Sequence, residues 1–399
     1  MLLTGPWVMA QLDELKLMPL DDPAIDYTRG AVQNRVTILQ QKLKSGAIKL
    51  TAGYAHGYLE SILKALDVPV SSQVLVFSKT SFQAPKIGPR MPRAVYHSDD
   101  ISVGFVRGGD DIEIAAVDPR QGVVFYTLDQ EPTEHPQILR RGECMQCHIG
   151  ASTVGVPGLV VRSTHVDHSG AQILSAHAYI TDHRSPLEHR WGGWYVTGRT
   201  GSQQHMGNKT AESPDDADEM DLSEGTNVND LSAYFNTSAY LRPDSDIVSL
   251  MVLEHQTRMV NLITRLGWEA RLGHDTAAGV EELVKYMLFV DETALKVPLD
   301  GISEYAQKFS QQGPRDHQGR CLRDFDLKTR MFRYPCSFLI YSAQFDGLPD
   351  AVRARVYARL HEVLSGKETG TAYARLTAPD RQAVLEILRD TKQGLPKDW

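Results

Sequence analysis

Cys144-Met145-Gln146-Cys147-His148 is the one C-x-x-C-H string among the chain's 399 residues. Two residues between the cysteines place both sulfurs on one edge of a porphyrin, where they can form thioethers with its two vinyl groups. The histidine that follows then turns beneath the metal. Two other chemistries use a C-x-x-C pair. A redox dithiol wants the pair opening a helix in a βαβ unit, and no such pattern surrounds this one. A structural zinc site wants a second close ligand pair, whereas Cys321 and Cys336 stand far away and outside any C-x-x-C. The motif therefore points to one covalent haem, with Cys144 and Cys147 as attachment points and His148 as an axial iron ligand.

What such a haem does depends on the other face of the iron. A second strong ligand from Met or His makes an electron carrier, with Met raising the potential relative to His. An open face admits peroxide, oxygen or another small molecule. Half of the chain's 14 histidines fall between His148 and His205. Two places offer the sixth ligand. On the stretch Met251 to Met259, Met251, His255 and Met259 recur every four residues and so share one helical face. A rigid helix holds a ligand better than a loop, which puts His255 first. His205 and Met206, in a glycine-flanked loop, come second. Just before them, Trp191 and Trp194 could line a haem edge, and Arg190 could pair with a propionate. The plain alternative for both places is a core histidine or tryptophan with satisfied contacts. With an open face, peroxide cleavage needs a base and a cation, for which Glu254 with His255, or His189 with Arg190, are the available pairs. Glu254 and His255 are adjacent on a helix and point about 100° apart, which weakens them as a unit.

At the motif the chain resembles the c-type cytochromes, over Cys144 to about Ser163. The stretch Gly155-Val156-Pro157-Gly158 follows His148, and in many members of that group a proline at this distance packs beside the axial histidine. The resemblance implies that the Pro157 carbonyl accepts a bond from the second ring nitrogen, fixing the tautomer of His148; an ordinary turn proline is the alternative. Outside this stretch the likeness fails, because a small cytochrome c is about 100 residues of helix with the motif near its start. As a whole the chain is similar to large bacterial proteins known only as cytochrome c domain-containing. The resemblance implies an exported, periplasmic, haem-binding protein in electron transport, with a redox partner protein or a small-molecule substrate. A haem-dependent oxidoreductase, peroxidase- or oxygenase-like, is the alternative, and a haem-based sensor a third.

Composition adds boundaries. A net charge of −8 and a pI near 6.0 argue against a nucleic-acid partner. No run approaches 18 apolar residues, so no transmembrane segment is expected. Val8 and Ala10 fit the last positions before a signal-peptidase cut, with Gln11 opening a mature chain, although a basic leader and most of the apolar core are missing. In an oxidising compartment Cys321 and Cys336 could form a disulfide; two buried thiols are the other reading.

The elements that must position the motif read as an α+β protein. Residues 1–70 form a helical segment, with helices over Ala31 to Lys44 and His56 to Leu66. Residues 71–210 form an antiparallel β-rich lobe carrying the motif. Its runs at Val74 to Phe77, Ala94 to Tyr96, Ile101 to Val106, Ile112 to Val117 and Val123 to Leu128 are punctuated by Gly108-Gly109-Asp110 and Asp118-Pro119-Arg120-Gln121-Gly122. Short strands resume at Leu159 to Arg162 and Ile173 to Ile180. Residues 211–243 form a linker whose acidic run, Glu212 to Glu224, is a solvated loop or a dock for a basic redox partner. Residues 244–399 form a helical lobe packing on the haem. There Pro243-Asp244-Ser245 caps a long stretch, Asp246 to Leu272, followed by helices at Val352 to Leu364 and Thr377 to Thr391.

Overall fold

The computed structural model describes residues 17–213, 217–397 and 399. The expected cleavage site around Val8, Ala10 and Gln11, and Asp215 and Asp216 of the acidic run, lie outside the described residues. The fold is α+β, as the alternating runs and helical stripes indicate: a seven-stranded antiparallel sheet with helices packed on it.

Helices α1 (Arg35–Lys44) and α2 (Leu59–Ala65) precede the sheet. Strands β1 (Val74–Val76), β2 (Arg93–His97), β3 (Ile101–Phe105), β4 (Asp111–Asp118), β5 (Gly122–Asp129) and β6 (Ile138–Arg140) then add in sequence order. A late strand, β9 (Trp194–Tyr195), closes the far edge beside β1, giving the order β6-β5-β4-β3-β2-β1-β9. The β4–β5 hairpin pairs Asp118 with Gly122 at its tip. Gly122 has φ +78°, and a side chain there would collide with Thr264 of the long helix described below. A separate ribbon pairs β7 (Val161–Thr164) with β8 (Ala178–Thr181). The expected strand from Ile173 is thus shortened to its last residues, because Val166 and Gln172 form a lone bridge around a turn.

The motif itself forms one helical turn, α3 (Met145–His148). The long helix α4 (Ile247–Arg271) begins one residue later than expected, because Asp246 is its cap. The Asp246 carboxylate accepts the amides of Val248 and Ser249 and also that of Ser303. Helices α5 (Ala277–Met287), α6 (Tyr305–Ser310), α7 (Ala343–Asp346), α8 (Asp350–Leu364) and α9 (Ala378–Thr391) follow. Helix α4 is buried along nearly its whole length. Trp268 donates to the Arg120 carbonyl at the β4–β5 tip, and Thr264 bonds Gln344. One continuous apolar core runs from Met18 through the sheet and α4 to Leu388, so the helical and β-rich stretches share a single interior. No helix among the described residues is long and apolar enough to cross a membrane.

Candidate functional site

The Cys144 carbonyl accepts the amides of Cys147 at 3.2 Å and His148 at 3.0 Å, which winds the motif into one turn. Residues three apart on a turn share a side, so the two thiols are neighbours while His148 faces inward. Cys147 is exposed and Cys144 half-buried, and both are free thiols. Burial pushes the Cys144 thiol up to about 11, helped by the negative charges of Glu113 and Glu143.

His148 lies against the ring of Phe125 on β5, with centroids 4.6 Å apart. Its Nδ1 is 3.0 Å from the carbonyl oxygen of Gly158, and the Gly158 amide donates back to the His148 carbonyl at 2.9 Å. A carbonyl can only accept, so Nδ1 carries the proton and Nε2 keeps its lone pair, the state a metal-ligating imidazole needs. The acceptor is one residue beyond the expected Pro157. The reciprocal bond between His148 and Gly158 sets that register and leaves Pro157 buried in the turn. Burial holds the imidazole below its ordinary range, as do the positive charges of Arg93 and Arg162; the Gly158 bond and Glu113 oppose them. Glu113 pairs with Arg93 and accepts from Ser81 and Gln83; burial works against its charge, but these partners hold its carboxyl below the usual range.

The surface beside the motif mixes apolar and cationic groups. Phe82, 61% exposed, stands in the chain between Ser81 and Gln83, which both donate to Glu113. Arg162 is paired across the β7–β8 ribbon with Ile180, and both are exposed. The donor types on this turn match those that covalent haem attachment would need. Two cysteines share one turn, and the imidazole beside them offers a bare Nε2. Among the described residues no group of three or more His, Cys, Asp or Glu side chains could hold a bare metal ion.

The other sequence candidates lie elsewhere. His255 is fully buried with both ring nitrogens engaged: Nδ1 is 2.9 Å from Nδ1 of His183, and Nε2 is 2.8 Å from the Ser337 hydroxyl. Its ring stacks on Tyr286 and Phe289. The histidine is therefore committed to the core, the plainer of its two readings. Met251 and Met259 are likewise core residues. Met206 is buried, its sulfur accepting from Ser163, and His205 packs its buried ring edge-on to Trp191. Trp191 is enclosed, while Trp194 donates to the Arg162 carbonyl and so braces the ribbon beside the motif. Arg190 pairs with Glu254 and donates to the carbonyls of His183 and Ser185, which leaves it no propionate role here. The remaining pair is also split, since His189 stacks on Tyr179 at 4.3 Å. Cys321 and Cys336 are both buried free thiols rather than a disulfide.

Sequence reasoning missed Phe125, Gly158 and two residues of α4, Asn261 and Arg265. Asn261 donates to the Leu159 carbonyl at 2.8 Å and Arg265 to the Val154 carbonyl at 3.0 Å. The signal was present in Asn261 itself, a poor helix former in the middle of a long apolar helix. In comparisons with protein-family models, curated proteins and solved structures, nothing matches this chain.

Proposed function

We propose that this chain is a mono-haem c-type cytochrome acting in electron transfer outside the cytoplasm. The observation that carries the reading is the Nδ1 bond of His148 to the Gly158 carbonyl, which leaves Nε2 free on the turn that bears both thiols. Cys144 and Cys147 would hold the group covalently, and His148 would ligate the iron. A haem held there supplies one-electron redox chemistry. Phe125 excludes water from one side of the imidazole, the Gly158 carbonyl raises its basicity, and Arg93 and Arg162 bring positive charge beside it. The motif's surface position favours exchange with a partner, because Cys147 is open to solvent.

A second reading is a haem c enzyme with an open distal face, and a sensor is a third. One observation favours both over the carrier: His255, Met206 and His205 are all held by core contacts and would need rearrangement to reach an iron.

Expression with the cytochrome c maturation machinery tests the premise. The expected result is one haem that survives denaturation, with attachment lost in the Cys144→Ala Cys147→Ala double variant. No covalent haem in the wild-type chain would refute it. Optical and EPR spectra then separate the readings. A low-spin iron unmoved by carbon monoxide supports the carrier, and a high-spin ferric iron with rapid ferrous carbon monoxide binding supports the open face.

A further inference from the structure

We infer that Asn261 is the positioning residue for His148, fixing its tautomer and orientation from the long helix through the Gly158-Leu159 turn. The segment from His148 to Gly158 is a closed loop, joined at its ends by the two reciprocal bonds between those residues. Within it Val154 has φ +53° and Gly155 φ +77°, so the backbone doubles back tightly. Such a loop needs outside anchors to hold one carbonyl in place.

Helix α4 supplies two. The side-chain amide of Asn261 donates to Leu159, the residue next to the carbonyl that His148 uses. One turn further on, Arg265 donates to Val154. Residues four apart stand on one helical face, so the two donors grip the loop from the same side. Arg265 is itself steadied by Glu269 at 2.7 Å.

Asn261 is 1% exposed, and its Oδ1 meets no donor. A buried acceptor without a partner is ordinarily costly, so packing alone does not account for an amide at this position. That oxygen lies where a Cβ on Gly158 would stand. The missing side chain at 158 is therefore what lets the helix come close enough for the amide to reach Leu159. Glycine at 158, asparagine at 261 and the protonated Nδ1 of His148 form one arrangement.

The geometric part of this inference stands without a cofactor, and its consequence for iron rests on the haem reading. The two are tested separately. In the apo chain at pH 8, long-range proton–nitrogen spectra report the tautomer of His148. The wild type is expected to show a single Nδ1–H form. Asn261→Leu, which keeps the volume and removes the donor, is expected to give a mixture of the two tautomers. Arg265→Ala provides a second, milder variant should Asn261→Leu fail to fold, with a smaller shift in the same direction. In the haem-loaded chain the same variants should move the reduction potential positive, since a less basic imidazole stabilises the ferric iron less. A lowered melting temperature with an unmoved tautomer in whichever variant folds would mean a merely structural role and overturn the inference. Failure of haem attachment in the wild type would sink the haem reading and leave the tautomer result standing.

Discussion

Arg190 and Glu254 form an ion pair at 3.0 Å deep in the protein, with side-chain exposures of 3% and 0%. Burial raises the Glu254 carboxyl to about 7, and the guanidinium beside it pulls the other way. The pair ties the Arg190 loop to α4 at the residue before His255, and Arg190 also holds the His183 carbonyl. One interior network thus fixes three residues that sequence spacing had offered to the haem.

Removing one partner strands the other's charge. Arg190→Met is expected to cost about 3–5 kcal/mol. The double variant Arg190→Met Glu254→Leu should recover most of the loss, because apolar replacements of a buried pair are often neutral. Urea denaturation of the three variants checks this, and a double variant no better than the single would contradict it.

Stability should peak near pH 6.5. Burial lowers His97 and His205 to about 4 and His255 to about 3, and holds His183 well below its usual value. As pH falls below 6.5 the unfolded chain protonates these imidazoles while the folded chain resists, so stability is lost towards pH 4. Glu254 and Glu292, both raised by burial to about 7, act in the opposite sense. Their contribution is complete below their unfolded pKa near 4.5 and is lost as pH rises through 7. His148 and His165, also held low by burial, add to these imidazoles, which together outweigh the two carboxyls below 6.5; above it the imidazole contribution fades and the carboxyls dominate. Denaturation midpoints measured from pH 4.5 to 8 should trace that maximum, and Glu254→Gln should flatten the upper limb.

The four cysteines should react in three classes in the apo chain. Cys147 is exposed and should alkylate first. Cys144, half-buried and raised to about 11, should follow slowly. Cys321 and Cys336 are buried with raised thiols and should react only after unfolding. Mass spectrometry of timed alkylation without reductant resolves the classes. Two unreactive cysteines in the unfolded chain would mean a disulfide.

A side chain on Gly158 should act against Asn261. Gly158→Ala is expected to cost about 1–3 kcal/mol through overpacking. In a double-mutant cycle with Asn261→Ala the two losses should fall short of additive, since the smaller residue vacates the space. Thermal melts of the four chains give the coupling, and strict additivity would separate the two sites.

Much of this fold was legible because it is local. Strands β2 to β5 alternate with turn residues, and Thr377 with Pro379 marks the start of α9. The motif was legible for the same reason, since Cys144, Cys147 and His148 need only one turn of helix. What surrounds it was not. His255 sits on an apolar stripe whether it faces a cofactor or His183, and periodicity records a face without saying what covers it. Likewise Arg190 has the charge for a propionate and for Glu254 alike, and only the tertiary path brings the carboxylate to it. Pro157 was read one residue early because a backbone acceptor depends on how the loop closes. That closure involves Asn261, 113 positions after His148.

The separation between motif and helix also has a temporal side. A chain emerging from its N-terminus presents Cys144, Cys147 and His148 more than a hundred residues before Asn261 and Arg265, which grip their loop, exist. During that interval the loop lacks both α4 anchors. Arrival of residues 261 to 265 then sets the imidazole in its final pose. Order of synthesis thus separates the exposure of the two thiols from the setting of the imidazole beside them.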